Sequence, residues 1–139
     1  ASFSNHILLS LQKELEFLKK QDIGLISKEY KVNQVVKLEH IKGSYEIWPP
    51  KEYAGKSWLE IVIEEGYIKD DIESLYNHLN THIHKCNHNI GAITLFNVHG
   101  TYFIKNGHKR IALARYFYEL HQIPAYLTGV NVIECKFFD

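Results

Sequence analysis

Five consecutive residues, Asn106-Gly107-His108-Lys109-Arg110, carry the densest chemistry in the chain. They stand between an apolar run, 101–105, and a new apolar pattern that continues to about residue 120. Asn106 is a candidate N-cap for a helix starting there. Gly107 lets backbone and ligand approach closely. A helix N-terminus presents amides without intrahelical partners and a partial positive charge. Basic side chains in that turn oppose the helix dipole, so the placement makes sense if an anion completes the site. Arg110 starts beside the inward stripe of Ile111, Ala114, Phe117 and Tyr118, and can reach the mouth of the helix. Lys109 points away towards solvent. Arg115 shares a helix face with His108, about 10 Å along the axis. The two are too far apart to hold one phosphate oxygen, yet able to frame an extended ligand. The segment is not a Walker loop, for it lacks the Gly-rich spacer and the Lys-Ser/Thr pair. The alternative is a hairpin feeding a helix that happens to carry basic residues.

A second constellation is the run NHLNTHIHKCNH, which holds His78, His82, His84, Cys86 and His88. On a helix His78 and His82 share a face, and in an extended segment His84, Cys86 and His88 share a side. Imidazole and thiolate are suitable zinc ligands, with His78, His82, Cys86 and His88 as one possible set. The spacing matches no closed zinc pattern, and an exposed polar loop explains it equally.

Elements must position these groups. Ser4 is a candidate cap for a helix from about residue 5 to Lys20, with Leu8, Leu11, Leu15 and Leu18 forming one stripe. Residues 22–24 read as a break. Residues 32–38 read as a short strand, and 41–44 as a turn. Two prolines, Pro49 and Pro50, exclude helix there. A helix is expected within 51–65, ended by Gly66, and another from Asp70 or Asp71 with Ile72, Leu75, Tyr76 and Leu79 inward. Residues 92–98 and 101–105 read as a hairpin about His99-Gly100. After the helix, residues 125–128 are expected to return as a strand beside 101–105, parallel to it.

Composition bounds the rest. A chain of 139 residues is long enough for one domain with a real core. Acidic and basic residues balance at 16 each, which argues against a globally basic nucleic-acid binder but not against a local patch. Fourteen of the bases are Lys; the two Arg residues, Arg110 and Arg115, both fall in the stretch described first. Arg suits bidentate binding of phosphate or carboxylate. Cys86 and Cys135 form no CxxC pair and are expected as free thiols. No apolar run has the length of a membrane span, and no basic leader opens the sequence, so a cytoplasmic protein is expected.

The residues 104–127, IKNGHKRIALARYFYELHQIPAYL, resemble the ParB/sulfiredoxin superfamily. Its ParB-like branch ends a strand in Asp-Gly-His-His-Arg, follows it with an alanine-rich helix, and continues with an Ile-Pro-Ala strand. The preceding ITLFNVHGTYFIK and the earlier LEHIKGSYEIW are similar to the family as well. The resemblance implies a small α/β (α+β) domain over 32–139, with a short mixed sheet and flanking helices; residues 1–31, which it does not cover, are expected from the leucine stripe as an N-terminal helical extension. Carried across, Gly107, His108 and Arg110 would contact nucleotide phosphates, with Asn106, Lys109 and Arg115 completing the basic seat. ATP or CTP with Mg²⁺ is the implied ligand, and nucleotide hydrolysis or phosphoryl transfer the implied reaction. Glu46, and less favourably Glu39, are candidate bases towards an acceptor hydroxyl, alongside His108. Asn106 replaces the usual Asp and cannot supply carboxylate chemistry. Lys109 replaces the second His. His108 stands where sulfiredoxin has cysteine, which excludes sulfinate reduction by that route. Two alternatives stay open. One is a nucleic-acid-binding or nuclease domain using Tyr102, His108, Lys109, Arg110 and Arg115. The other is a noncatalytic regulatory module that assembles as a homodimer.

Overall fold

The computed structural model describes residues 6–45, 53–64, 93–122 and 125–138. Their strands form one six-stranded mixed sheet. In chain order the elements are β1 (Leu9–Ser10), α1 (Leu11–Lys20), β2 (Gly24–Lys37), a 3-10 turn (Leu38–His40), β3 (Ile41–Ser44), α2 (Trp58–Glu64), β4 (Thr94–Val98), β5 (Thr101–Asn106), α3 (His108–His121) and β6 (Tyr126–Phe138). The spatial order is β1-β3-β5-β4-β6-β2. The mixed sheet and its flanking helices agree with the expected α/β (α+β) class.

Period-two alternation gives the sheet two buried faces. On β4, Leu95 joins one core and Phe96 the other; on β5, Ile104 and Phe103 divide in the same way. The larger core lies under α2 and α3 and includes Trp58, Ile61, Val62, Ile111, Leu113 and Phe117. The smaller lies under α1 and includes Leu11, Leu18, Phe96, Phe103 and Ile133. The result is three layers: one helix, the sheet, and two helices.

The β4–β5 hairpin forms as expected. His99 and Gly100 both have positive φ (52° and 85°), as a type I′ turn requires. The strand after α3 differs from expectation. It runs for 13 residues and pairs parallel with β4 and antiparallel with β2, not with β5. The tight hairpin places β4 on one side of β5, and β3 takes the other side in parallel register. No edge of β5 is left for β6.

Three other local expectations are corrected. The leading helix begins at Leu11, capped by Ser10, whose Oγ accepts from the Lys13 amide at 3.3 Å. The preceding residues are drawn into extended pairing instead: Leu8 N–H donates to the Lys56 carbonyl at 2.8 Å, and Leu9 pairs with Gly43. Ser4 lies outside the described residues. Residues 41–44 are strand β3, not a turn. The strand expected at 32–38 begins at Gly24 and so crosses the 31/32 division, in the same sheet as the rest. Helix α2 is fixed by a reciprocal capping box. Glu60 N–H donates to Ser57 Oγ at 3.1 Å, and Ser57 N–H donates to Glu60 Oε1 at 3.3 Å. The helix expected after residue 70 lies outside the described residues.

Candidate functional site

Strands β3 and β5 lie side by side in parallel, with Ser44 opposite Ile104, so their carboxyl ends reach the same edge of the sheet. Gly107 then turns the chain from β5 into α3. It has φ 107° and ψ 23°, a left-handed conformation that L side chains rarely adopt. A Cβ there would also lie 2.9 Å from Ile93 Cγ1 and 3.3 Å from Arg110 Nη2. Two independent constraints therefore require glycine, and the second shows the Arg110 guanidinium folded back over the turn.

The N-cap of α3 is Gly107, not Asn106 as expected. Asn106 completes β5 and is exposed. The Ile111 amide donates to the Gly107 carbonyl at 3.0 Å, no side chain caps the helix, and its first turn holds no acidic residue. The helix start thus keeps its partial positive charge, beside Lys109 and Arg110.

His108 takes part in a different way from its neighbours. Its Nε2 is 2.6 Å from Ser44 Oγ, and its ring stacks on Tyr53, with centroids 4.1 Å apart and planes within 11°. Burial disfavours the imidazolium and lowers its pKa to about 4. His108 is therefore neutral at pH 7 and too weak a base to suit general-base work there. Ser44 is itself buried. A serine hydroxyl and a neutral imidazole have two polar hydrogens between them, and their mutual hydrogen bond uses one. The pair therefore keeps one polar hydrogen outside its mutual bond.

Arg115 does not join this group. Its side chain is 2% exposed, and Nη1 donates to the carbonyls of Leu38 (3.0 Å) and Ile41 (2.7 Å). Its guanidinium carbon lies 4.5 Å from the centroid of Trp58. Burial lowers its pKa to about 10, opposed by Glu39 and Glu119, so it remains a cation at neutral pH. It clamps the 3-10 turn that leads into β3. Glu39 belongs to that same end. It pairs with Lys37 at 3.5 Å, and the Tyr118 hydroxyl donates to it at 3.4 Å. Tyr118 is ten residues from His108 on α3, about 15 Å along the axis. Glu39 is thus placed away from the Gly107 turn.

Glu46, His78, His82, Cys86 and His88 lie outside the described residues. Among the described residues no three His, Cys, Asp or Glu side chains group to hold a metal ion. Among them too, no helix is long and apolar enough to cross a membrane. Tyr102 packs against the larger core, and burial followed by Glu134 raises its pKa. Sequence reasoning missed Ser44 and Tyr53. Ser44 had a signal in Gly43-Ser44, because Gly43 is required: a Cβ there would lie 2.5 Å from the Phe103 ring and 2.6 Å from the Leu9 carbonyl oxygen. Tyr53 had none.

No protein-family model matches the chain, and neither does any curated protein or solved structure.

Proposed function

We propose that this protein is a nucleotide- or phosphate-binding domain of ParB/sulfiredoxin type, with its anion seat at residues 107–110. The observation that carries this reading is the Gly107 turn. There a left-handed glycine, an uncapped helix start, the Arg110 guanidinium and the Ser44–His108 pair meet at the carboxyl ends of two parallel strands. Ligands of open α/β sheets bind in such a place. Backbone amides and Arg110 would hold phosphate oxygens, and Mg²⁺ would offset the charge of ATP or CTP.

Among the described candidate bases, the arrangement favours binding over phosphoryl transfer. His108 is a weak base, and Glu39 stands at the far end of α3. A regulatory domain that holds a nucleotide without consuming it fits these facts. A nucleic-acid role has less support, because Arg115 is committed to backbone carbonyls and Tyr102 to the core.

The test is isothermal titration with ATP, ADP and CTP, with and without Mg²⁺, on the wild type and Arg110→Ala. We expect saturable binding by the wild type and at least a tenfold loss in the variant, corresponding to about 1.4 kcal/mol. Equal binding by the folded variant would remove the seat from this turn. No binding by the wild type would remove the nucleotide reading.

A further inference from the structure

A separate cleft lies beside the middle of α3, at Arg115. It has a volume of about 580 Å³, within the usual range for small-molecule sites. Its floor is made by Trp58 and Arg115, both buried, with the guanidinium lying over the indole. Its lip includes Ile7 and Leu9, which are 54% and 49% exposed. The chain is extended there, so residues 7 and 9 face the cleft side while Leu8, 2% exposed, turns into the core. Both are held in place, Ile7 by a bridge to Ser57 and Leu9 by its pairing with Gly43. Two large apolar side chains are thus kept at the mouth of one pocket.

The charge around them is specific. Lys42 and Arg115 are cations, and Glu39 is the one carboxylate among the described lining residues. That carboxylate already faces Lys37 and the Tyr118 hydroxyl. His6 and His40 add two imidazoles at the rim. The balance suits a single negative charge. A phosphate group, with close to two charges, would face Glu39 at greater cost. The apolar lip suits a hydrocarbon or aromatic body.

We propose that this cleft is a second ligand site, for a small organic carboxylate whose apolar or aromatic body packs on Ile7 and Leu9 and whose carboxylate is held by Lys42 over the fixed charge of Arg115. Arg115 acts here through its charge. Its Nη1 hydrogen bonds to Leu38 and Ile41 keep that charge in position. The cleft is independent of the anion seat, since Arg115 lies seven residues from His108, about 10 Å along α3. Lys42 is exposed, so changing it leaves the core intact.

The experiment is an NMR titration of the whole chain, following the Ile7 and Leu9 methyls, the Lys42 amide and the Trp58 indole. The probes are hexanoate, octanoate, phenylacetate and indole-3-acetate, each against its matched amide, up to about 10 mM. We expect at least one acid to shift these signals saturably, its amide to bind at least about tenfold more weakly, and Lys42→Glu to weaken the acid by a similar factor. Arg110→Ala should leave it unchanged. The proposal is overturned if no acid shifts these signals, if amides bind as well as acids, or if Lys42→Glu is without effect. Loss of binding in Arg110→Ala would overturn it as well, by assigning the carboxylate to the Gly107 turn.

Discussion

At the scale of single residues, His108 shows how position outweighs residue type. In the sequence it is one of three adjacent bases. In the fold it is a neutral ring held between Tyr53 and Ser44, and the charge of the turn comes from its two neighbours. The consequence for pH follows from the direction of its shift. Its folded pKa, about 4, lies below its ordinary value of 6.5. As pH falls, the unfolded chain takes up the proton first. The stabilisation from a neutral His108 is complete above pH 6.5, declines between 6.5 and 4, and is gone below that. Its full size is at most about 3–4 kcal/mol, from a shift of 6.5 to about 4. Urea midpoints measured from pH 7 to pH 4 should fall over this window in the wild type, and fall less in His108→Gln. Imidazole carbon shifts should show His108 titrating well below its ordinary value of 6.5. A His108 midpoint near 6.5 would refute the buried, neutral assignment.

At the scale of elements, Arg115 joins α3 to the turn before β3. Its replacement by Met keeps the apolar stem and much of the contact with Trp58. It leaves the carbonyls of Leu38 and Ile41 without their guanidinium donor. We expect a loss of about 2–4 kcal/mol in urea unfolding. Arg115→Lys should recover only part of it, since an ammonium does not reproduce the planar fork. A loss below about 0.5 kcal/mol in Arg115→Met would show that the clamp is not structural. What the sequence disclosed at this scale follows a pattern. The β4–β5 hairpin and α3 were legible because Asn, Gly and the 3.6-residue stripe act locally. The role of Arg115 was not, because its partners are more than seventy residues away in sequence. The cap of α3 lies one residue beyond Asn106, because a left-handed glycine can end a strand and open a helix without a side-chain acceptor. Strand β3 reads as a turn in the sequence because Gly43-Ser44 has turn chemistry. Only the close approach of Leu9 and Phe103 shows why glycine is needed in a strand.

At the scale of the whole molecule, the mixed sheet places two candidate binding features along one helix. The start of α3 carries the proposed anion seat, and Arg115, further along it, lines the cleft. The helix class and the mixed sheet could be read from the sequence, whereas the strand order could not. Parallel and antiparallel neighbours depend on which edges remain free after the hairpin forms. That is a property of the assembled sheet and of no single segment.

The pairing of β2 with β6 has a consequence for how the molecule assembles. Gly24 lies opposite Phe138 and Lys37 opposite Tyr126, so this ladder joins segments about a hundred positions apart. The β4–β5 hairpin, joined by a two-residue turn, can form early. The outer strand gains its partner only when the loop between them closes, and that closure is slow. Destabilising changes confined to β2, such as Val36→Ala, should therefore accelerate unfolding and leave the refolding rate nearly unchanged. Stopped-flow measurement of both rates decides this. A refolding rate that falls in proportion to the lost stability would place β2 in the nucleus, and would make the longest-range ladder of the sheet the first to form.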